Sequence, residues 1–438
     1  MDVRLASLSE RLRNSLFFVP MAYVAAAVLL GVLAVELDQR VVEGTTDLPF
    51  GLASTVDSAR AILGTVASAT ITFAGIAFSI SLLVIQLASS QYSPRVVHGL
   101  LRDPFTKQIM GVVVGTFTYC LVVLRAVRGP LEDDGDAVVP SISVALALLL
   151  GVVSILAIIA FINHSAQTMD VSRILARAAK DGLAVAERLW DEEPEAGSDP
   201  ERVPEAPDDH LLVTHADDGW VRDIDFDGLV ATAPPGGTVR LEIEVGRYAV
   251  AGTPLCRIWP RPEDPERSCE AARAAIVTGN SRTVEQDVSY AVRQLADVAL
   301  RALSPSINDP TTAQDAVFHL GSVLRALLVR HPPRLATPMP GDRLLLRPER
   351  PDHVELIGLA FDEVRLAATG MPTMCVYLLE LLHLLEEAVD VDRLDPEAFA
   401  AIRRQAALIR ASADRTDLLA HDADHIRDAH DRRFGPPT

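Results

Sequence analysis

Apolar positions crowd the first part of the chain in four nearly unbroken runs, about Leu16 to Val35, Ala61 to Leu87, Ile109 to Val127 and Val138 to Ile162. Each run reaches the roughly 20 residues that a helix needs to cross a bilayer. Only helices and closed barrels satisfy every backbone polar group in lipid, so each run predicts a spanning helix. Arg4, Arg11 and Arg13 precede the first run as they would in a signal peptide. Its apolar core is too long for that and three more runs follow, so it reads as a signal-anchor.

Beyond the fourth run the pattern changes three times. Asp170 to Trp190 has helical periodicity. Residues 191 to 210, DEEPEAGSDPERVPEAPDDH, are acidic and Pro-rich and read as a linker. Residues 217 to 260 alternate between apolar and polar positions in short stretches separated by Gly, Pro and Asp, which predicts strands. Helical spacing then returns, in Ala271 to Thr278 and in a longer amphipathic piece from Val284 to Leu303. The expected architecture is an α-helical integral membrane protein with four transmembrane helices. It carries a cytoplasmic α+β region containing a small β-barrel or sandwich-like module and a helical domain. The expected boundaries are 1–165 for the transmembrane part, 166–212 for a connecting helix and linker, 213–262 for the β-module and 263–438 for the helical domain.

Charge sets the expected orientation. The 438 residues carry a formal net charge of −19, yet the mean hydropathy is positive. The two properties are segregated, with acidic residues gathered after the spans. Basic residues mark the N-terminal arm, the loop after the second run (Arg95, Arg102, Lys107) and the segment after the fourth (Arg173, Arg177, Lys180). The other two loops are acidic, with Glu36, Asp38, Glu43 and Asp47 in one and Glu132, Asp133, Asp134 and Asp136 in the other. The positive-inside rule then puts both termini, and everything after about His164, in the cytoplasm at the plasma membrane. No basic footprint for nucleic acid is present.

The second run holds the first candidate site. Thr65, Ser68, Thr72, Gly75, Ser79, Gln86 and Ser89 fall on one helical face by their spacing. A small, hydroxylated face in lipid either packs helices closely or lines a water-filled path. Packing is the ordinary use of such a face and the expected one here, and Gln86 tilts the reading back toward the path, because an amide buried in lipid needs a partner or water. Gln91, Ser93 and Arg95 would form the cytoplasmic exit. No Asp, Glu, Lys, Arg or His lies mid-run, which argues against a proton-coupled pump or a voltage sensor.

The second candidate is the loop ALSPSINDPTTA, with Ser304, Pro305, Asn308, Asp309, Pro310 and Thr311. Ser304-Pro305 stops a helix. Asp309 before Pro310 reads as an N-cap with Pro at the first helical position. The loop is therefore a helix joint, or else a pocket rich in oxygens and free N–H groups for an anion. Arg282 and Asp287 read as an ion pair before a ligand clamp. His421 and His425 are spaced like a metal pair, but the surrounding run HDADHIRDAHDRR reads as a solvated tail. Cys120, Cys256, Cys269 and Cys375 lack metal or disulfide spacing and read as reduced thiols. No catalytic motif appears in a usable context, so no enzyme activity, metal or cofactor is expected.

Two resemblances follow. VGRYAVAGTPLCRI resembles the half-barrel repeat of biotinyl and lipoyl carrier domains, but no Lys stands in the region to take a cofactor. FAGIAFSISLLVIQLASSQYSPR, RTVEQDVSYAVRQLADVALRALSPSINDPTTA and the β-module between them resemble a bacterial family of predicted integral membrane proteins, DUF2254. That family usually has Gly and Phe where this chain has Ser306 and Thr311. The resemblance implies four spans and a cytoplasmic domain, and no activity. Two functions remain as expectations: a homo-oligomeric channel or passive transport protein, or a membrane-anchored sensor or scaffold binding a cytoplasmic ligand or protein.

Overall fold

The computed structural model describes residues 18–42, 55–91, 103–128, 139–168, 170–192, 203–389 and 395–435. The chain divides into two compact units, Met1–Arg173 and Ile174–Thr438.

The first unit contains α1 (Phe18–Val42), α2 (Val56–Gln91), α3 (Pro104–Ala126) and α4 (Ser141–Thr168). All four are long and apolar enough to cross a membrane. The helices outrun the apolar runs of the sequence, so Glu36, Asp38 and Lys107, read above as loop residues, are helical. α3 packs against the other three. Gly111 allows the approach of α1, since a Cβ there would come within 2.7 Å of the Tyr23 ring.

Polar groups tie this bundle together from inside. The Tyr119 hydroxyl donates to the Ser143 carbonyl at 3.0 Å, and the Ser154 hydroxyl to Thr116 at 3.0 Å. Asp38 is buried and caps α4 across the chain. Its carboxylate accepts the backbone N–H groups of Ile142 and Ser143 at 2.9 Å each and the Ser143 hydroxyl at 2.6 Å. A carboxylate there answers both the unpaired amides and the positive end of the helix dipole. The outward faces of α1 and α4 are large apolar side chains, such as Leu29, Leu33, Leu149, Leu156 and Ile159.

The second unit mixes helices and strands. α5 (Val171–Leu189) begins just before its boundary and is followed by β1 (Leu211–Thr214), β2 (Gly219–Ile224), α6 (Phe226–Val230), β3 (Thr238–Leu241), β4 (Tyr248–Ala249), β5 (Pro254–Trp259), α7 (Pro265–Ala274) and β6 (Ile276–Gly279). Then come α8 (Val288–Ala302), α9 (Pro310–Leu328), β7 (Ala336–Met339), β8 (Arg343–Leu346), α10 (His353–Ala367), α11 (Pro372–Ala388), α12 (Pro396–Arg415) and α13 (Ala420–Phe434).

One sheet has the order β1-β5-β3-β8-β7 and the other β4-β2-β6. All pairs are antiparallel except β3 with β8. Val213, Val221, Val239, Leu241, Leu255, Ile258 and Leu345 belong to one core shared by both sheets. Neither sheet closes into a barrel.

Three strands come from outside the 213–262 stretch. Residues 276–279 pair with β2 in the register Trp220↔Gly279, although 276–278 read as helical from the sequence, because so few residues are too short a stretch for periodicity to separate strand from helix. β7 and β8 form a hairpin whose turn places Gly341 and Asp342 at positive φ, 80° and 55°. Pro340-Gly341-Asp342 between apolar stretches is the signal of this hairpin in the sequence. The remaining helices pack in pairs, α8 on α9 and α10, and α11 on α9, α12 and α13. The buried face of α5 includes Leu175, Ala179 and Ala186.

Candidate functional site

The polar stripe of the second span faces away from its own bundle. Thr65, Ser68, Thr72, Gly75, Ser79 and Gln86 are all exposed. The inner face of α2 is instead Ala59, Leu63, Ala67, Thr70 and Ala77, each almost fully buried. Packing within this chain is therefore not what the stripe serves. Three of its hydroxyls donate back to their own helix: Thr65 to the Ala61 carbonyl at 2.7 Å, Thr72 to Ser68 at 2.8 Å and Ser79 to Gly75 at 2.9 Å. With their hydrogens used, these hydroxyls turn acceptor lone pairs outward. Ser89 and Gln91 lie in the last turns of α2, but their side chains, and all of Ser93 and Arg95, fall outside the described residues.

The SPSINDP loop is a helix joint. α8 ends at Ala302, and Ile307 and Asn308 donate backbone N–H groups to the Ser304 carbonyl at 3.0 and 2.9 Å. Asn308 takes the left-handed conformation at φ 49°, which Asn tolerates better than most residues. Asp309 then caps α9, accepting the Thr312 amide at 3.1 Å and its hydroxyl at 2.6 Å, with Pro310 at the first helical position. These bonds, the Thr312 hydroxyl first, hold the Asp309 pKa below the usual carboxylate value. Pro305, Ser306, Asn308, Pro310 and Thr311 are exposed, while Ser304 and Asp309 are half-buried.

A family model described as "Predicted membrane protein (DUF2254)" matches residues 13–384. The chain belongs to the DUF2254 family. Two relatives, uncharacterized proteins of Mycobacterium tuberculosis and Mycobacterium bovis, are each 30% identical over 370 residues, covering 82% of this chain and 69% of theirs. No solved structure matches it.

In this DUF2254 protein the structure shows the Arg282–Asp287 ion pair expected from the sequence and gathers near it groups that sequence spacing did not connect. Asp287 caps α8 by accepting the Tyr290 amide at 2.9 Å, and Arg282 grips its carboxylate with two bonds of 2.8 and 2.9 Å. The Arg282 guanidinium lies 5.0 Å from the Tyr290 ring centre. Burial raises the Asp287 pKa, against the pull of Arg282. Gly246, at φ +84°, sits directly on this pair, where a Cβ would come within 2.2 Å of the carboxylate. Arg347 grips buried Glu244 in the same two-bond fashion, at 2.7 and 2.9 Å. Asp287 and the Glu244–Arg347 pair line a cavity of about 50 Å³ together with Trp190, Phe226 and Gln286.

At one end of the bundle, Asp103 caps α3 and lies 2.7 Å from His164 at the end of α4. Lys107 is buried one turn further into α3. Among the described residues no group of three or more His, Cys, Asp or Glu side chains is placed to hold a metal, so His421 and His425 have no third ligand. Burial pushes the Cys375 thiol up to about 11, which leaves it protonated near neutral pH.

Proposed function

We propose that this protein is a homo-oligomeric channel or passive transport protein of the plasma membrane, in which the outward stripes of α2 from several copies meet around a path. One observation carries the reading: a polar stripe points away from its own bundle beside exposed Ile71, Ile76, Phe78, Leu82 and Leu83 of the same helix, while the outward faces of α1 and α4 are built from Leu, Val and Ile. Lipid needs only the second kind of surface. A face of hydroxyls, glycine and an amide is better matched by water or by the same face of another copy. The distribution of basic residues supports cytoplasmic termini, with residues 174–438 as an assembly or gating part. No catalytic role is assigned to any residue.

The alternative, a membrane-anchored sensor or scaffold, is favoured by the compactness of Ile174–Thr438 as a unit. Flux of ions and small solutes through the purified protein in liposomes separates the two. Ser79→Leu and Gln86→Leu are expected to cut flux several-fold while the oligomer stays intact. Flux that neither change alters, or a single copy per particle by mass measurement in lipid, overturns the path. The search then passes to a ligand or partner of residues 174–438.

A further inference from the structure

We propose that His353 is an acid-sensitive clasp that holds Trp190, the residue just after α5, against the helices of the second unit. The proposal is independent of whether α2 lines a path.

α5 is the helix that follows the fourth span in sequence, and Trp190 just after it is 2% exposed. The Trp190 ring packs on the imidazole of His353, with centroids 5.1 Å apart and planes tilted by 57°. His353 opens α10 and is 5% exposed. Its Nε2 lies 3.1 Å from the Leu327 carbonyl oxygen and 3.0 Å from that of Arg330. Two acceptors facing one nitrogen require that Nε2 carry the hydrogen. Nδ1 is then the unprotonated atom of a neutral ring, and it is buried with no hydrogen-bond partner among the described residues.

A second proton must go to Nδ1. It creates a buried N–H and a positive charge with no acceptor in reach, which is costly. Contact with the Trp190 ring offsets part of that cost but accepts no conventional hydrogen bond.

The surrounding charges pull in both directions. Asp352, on the N-terminal side of the same helix, and Asp395, at the start of α12, favour the charged ring. Arg330, at the end of α9, brings a cation that is itself paired with Glu192. Beyond Trp190, the Glu244–Arg347 pair and Asp287 line the small cavity. Burial dominates, and the His353 pKa is lowered, with the Leu327 and Arg330 carbonyls opposing. The sign follows. The clasp contributes fully above the ordinary histidine value of about 6.5, and its contribution is lost as pH falls below that value toward the lowered one. Acid thus loosens the end of α5.

Trp190, Trp220 and Trp259 are the three tryptophans of the chain, so Trp220→Phe with Trp259→Phe leaves Trp190 as the only indole reporter. The experiment records its emission in the full-length protein in lipid nanodiscs from pH 8 to about 4.5, bracketing the histidine range. A reversible red shift is expected, beginning below about pH 6.5. His353→Gln keeps an N–H for the two carbonyls, does not titrate, and is expected to abolish the shift.

A second variant covers the case in which His353→Gln fails to fold. Asp352 and Asp395 are N-caps, and Asn caps as well as Asp does. Asp352→Asn with Asp395→Asn therefore keeps both helices while removing two charges that favour protonation. It should move the transition to lower pH by roughly half a unit. A red shift that persists in His353→Gln, a transition that the double Asn variant leaves in place, or no shift across the whole range overturns the proposal.

Discussion

Asp38 and Asp287 place the same group in the same role, a buried carboxylate at a helix N-terminus, in the two units of the chain. Asp38 sits in the membrane unit and caps a helix more than a hundred residues away, using two amides and a hydroxyl. Asp287 caps its own helix and is gripped by Arg282 five residues earlier. In the membrane unit the charge is met by a helix dipole and hydrogen bonds. In the second unit it is met by a cation. The difference shows what each unit can spare: the mixed unit has Arg on its loops and strands, whereas a span that imports a cation also imports its desolvation cost.

Removing the partner of Asp287 gives the largest expected effect. Arg282→Met leaves a buried carboxylate without its cation and should destabilise the second unit by roughly 3–5 kcal/mol. Burial raises the Asp287 pKa against the pull of Arg282, and a buried ion pair that is replaced as a pair is often lost at little cost. Arg282→Met combined with Asp287→Asn, which keeps a cap, should therefore recover most of the loss. Chemical unfolding followed by far-UV circular dichroism reads both variants. A double variant no better than the single one breaks the comparison, because Arg282 would then act through its contact with Tyr290 and not through charge.

Asp38→Ala is expected to come next. It strands two amides and a hydroxyl at the start of α4 and should cost roughly 2–3 kcal/mol. Asp38→Asn, which retains one acceptor oxygen, should cost about half of that. Thermal unfolding in detergent measures the series. If Asp38→Ala unfolds at the wild-type temperature, water or another group supplies the cap and the contrast with Asp287 disappears.

These two residues also mark how far the sequence could be read. The ion pair of Asp287 with Arg282 was legible, since two charges five residues apart are local chemistry, whereas its capping role was not, because the apolar spacing carries the helix back to Val284 and the structure starts it at Val288. The helix stop at Ser304-Pro305 and the start at Asp309-Pro310 were legible as local chemistry too. The spans were legible because lipid imposes length and apolarity on every one of them. Asp38 was not: beyond the end of an apolar run it looks like any acidic loop residue, and only the tertiary approach of α4 makes it a cap. The stripe on α2 was visible as a face, but its direction was not, because Ala59, Ala67 and Ala77 on the opposite side pack the bundle as well as large residues would. Residues 276–279 became a strand only through pairing with β2. His353 carried no sequence signal at all, since its acceptors are the carbonyls of another helix.

The smallest effect sharpens the comparison from the exposed side. Asp309 is another carboxylate cap, half-buried, and among the described residues no ion pair holds it as Arg282 holds Asp287. Its hydrogen bonds to Thr312 lower its pKa, opposite to Asp287, because little burial opposes them. A lowered carboxylate contributes stability that is present above the ordinary Asp value of about 3.9 and is lost as pH falls through the folded value. Asp309→Ala should remove that acid dependence and cost about 1 kcal/mol at neutral pH, whereas Asp309→Asn should remove the dependence at little cost, since Asn caps equally well. Unfolding free energies of the three proteins at pH 7 and near pH 3 decide it. If Asp309→Asn loses as much as Asp309→Ala, the negative charge itself holds the start of α9, and the joint depends on the helix dipole more than on the hydrogen bonds to Thr312.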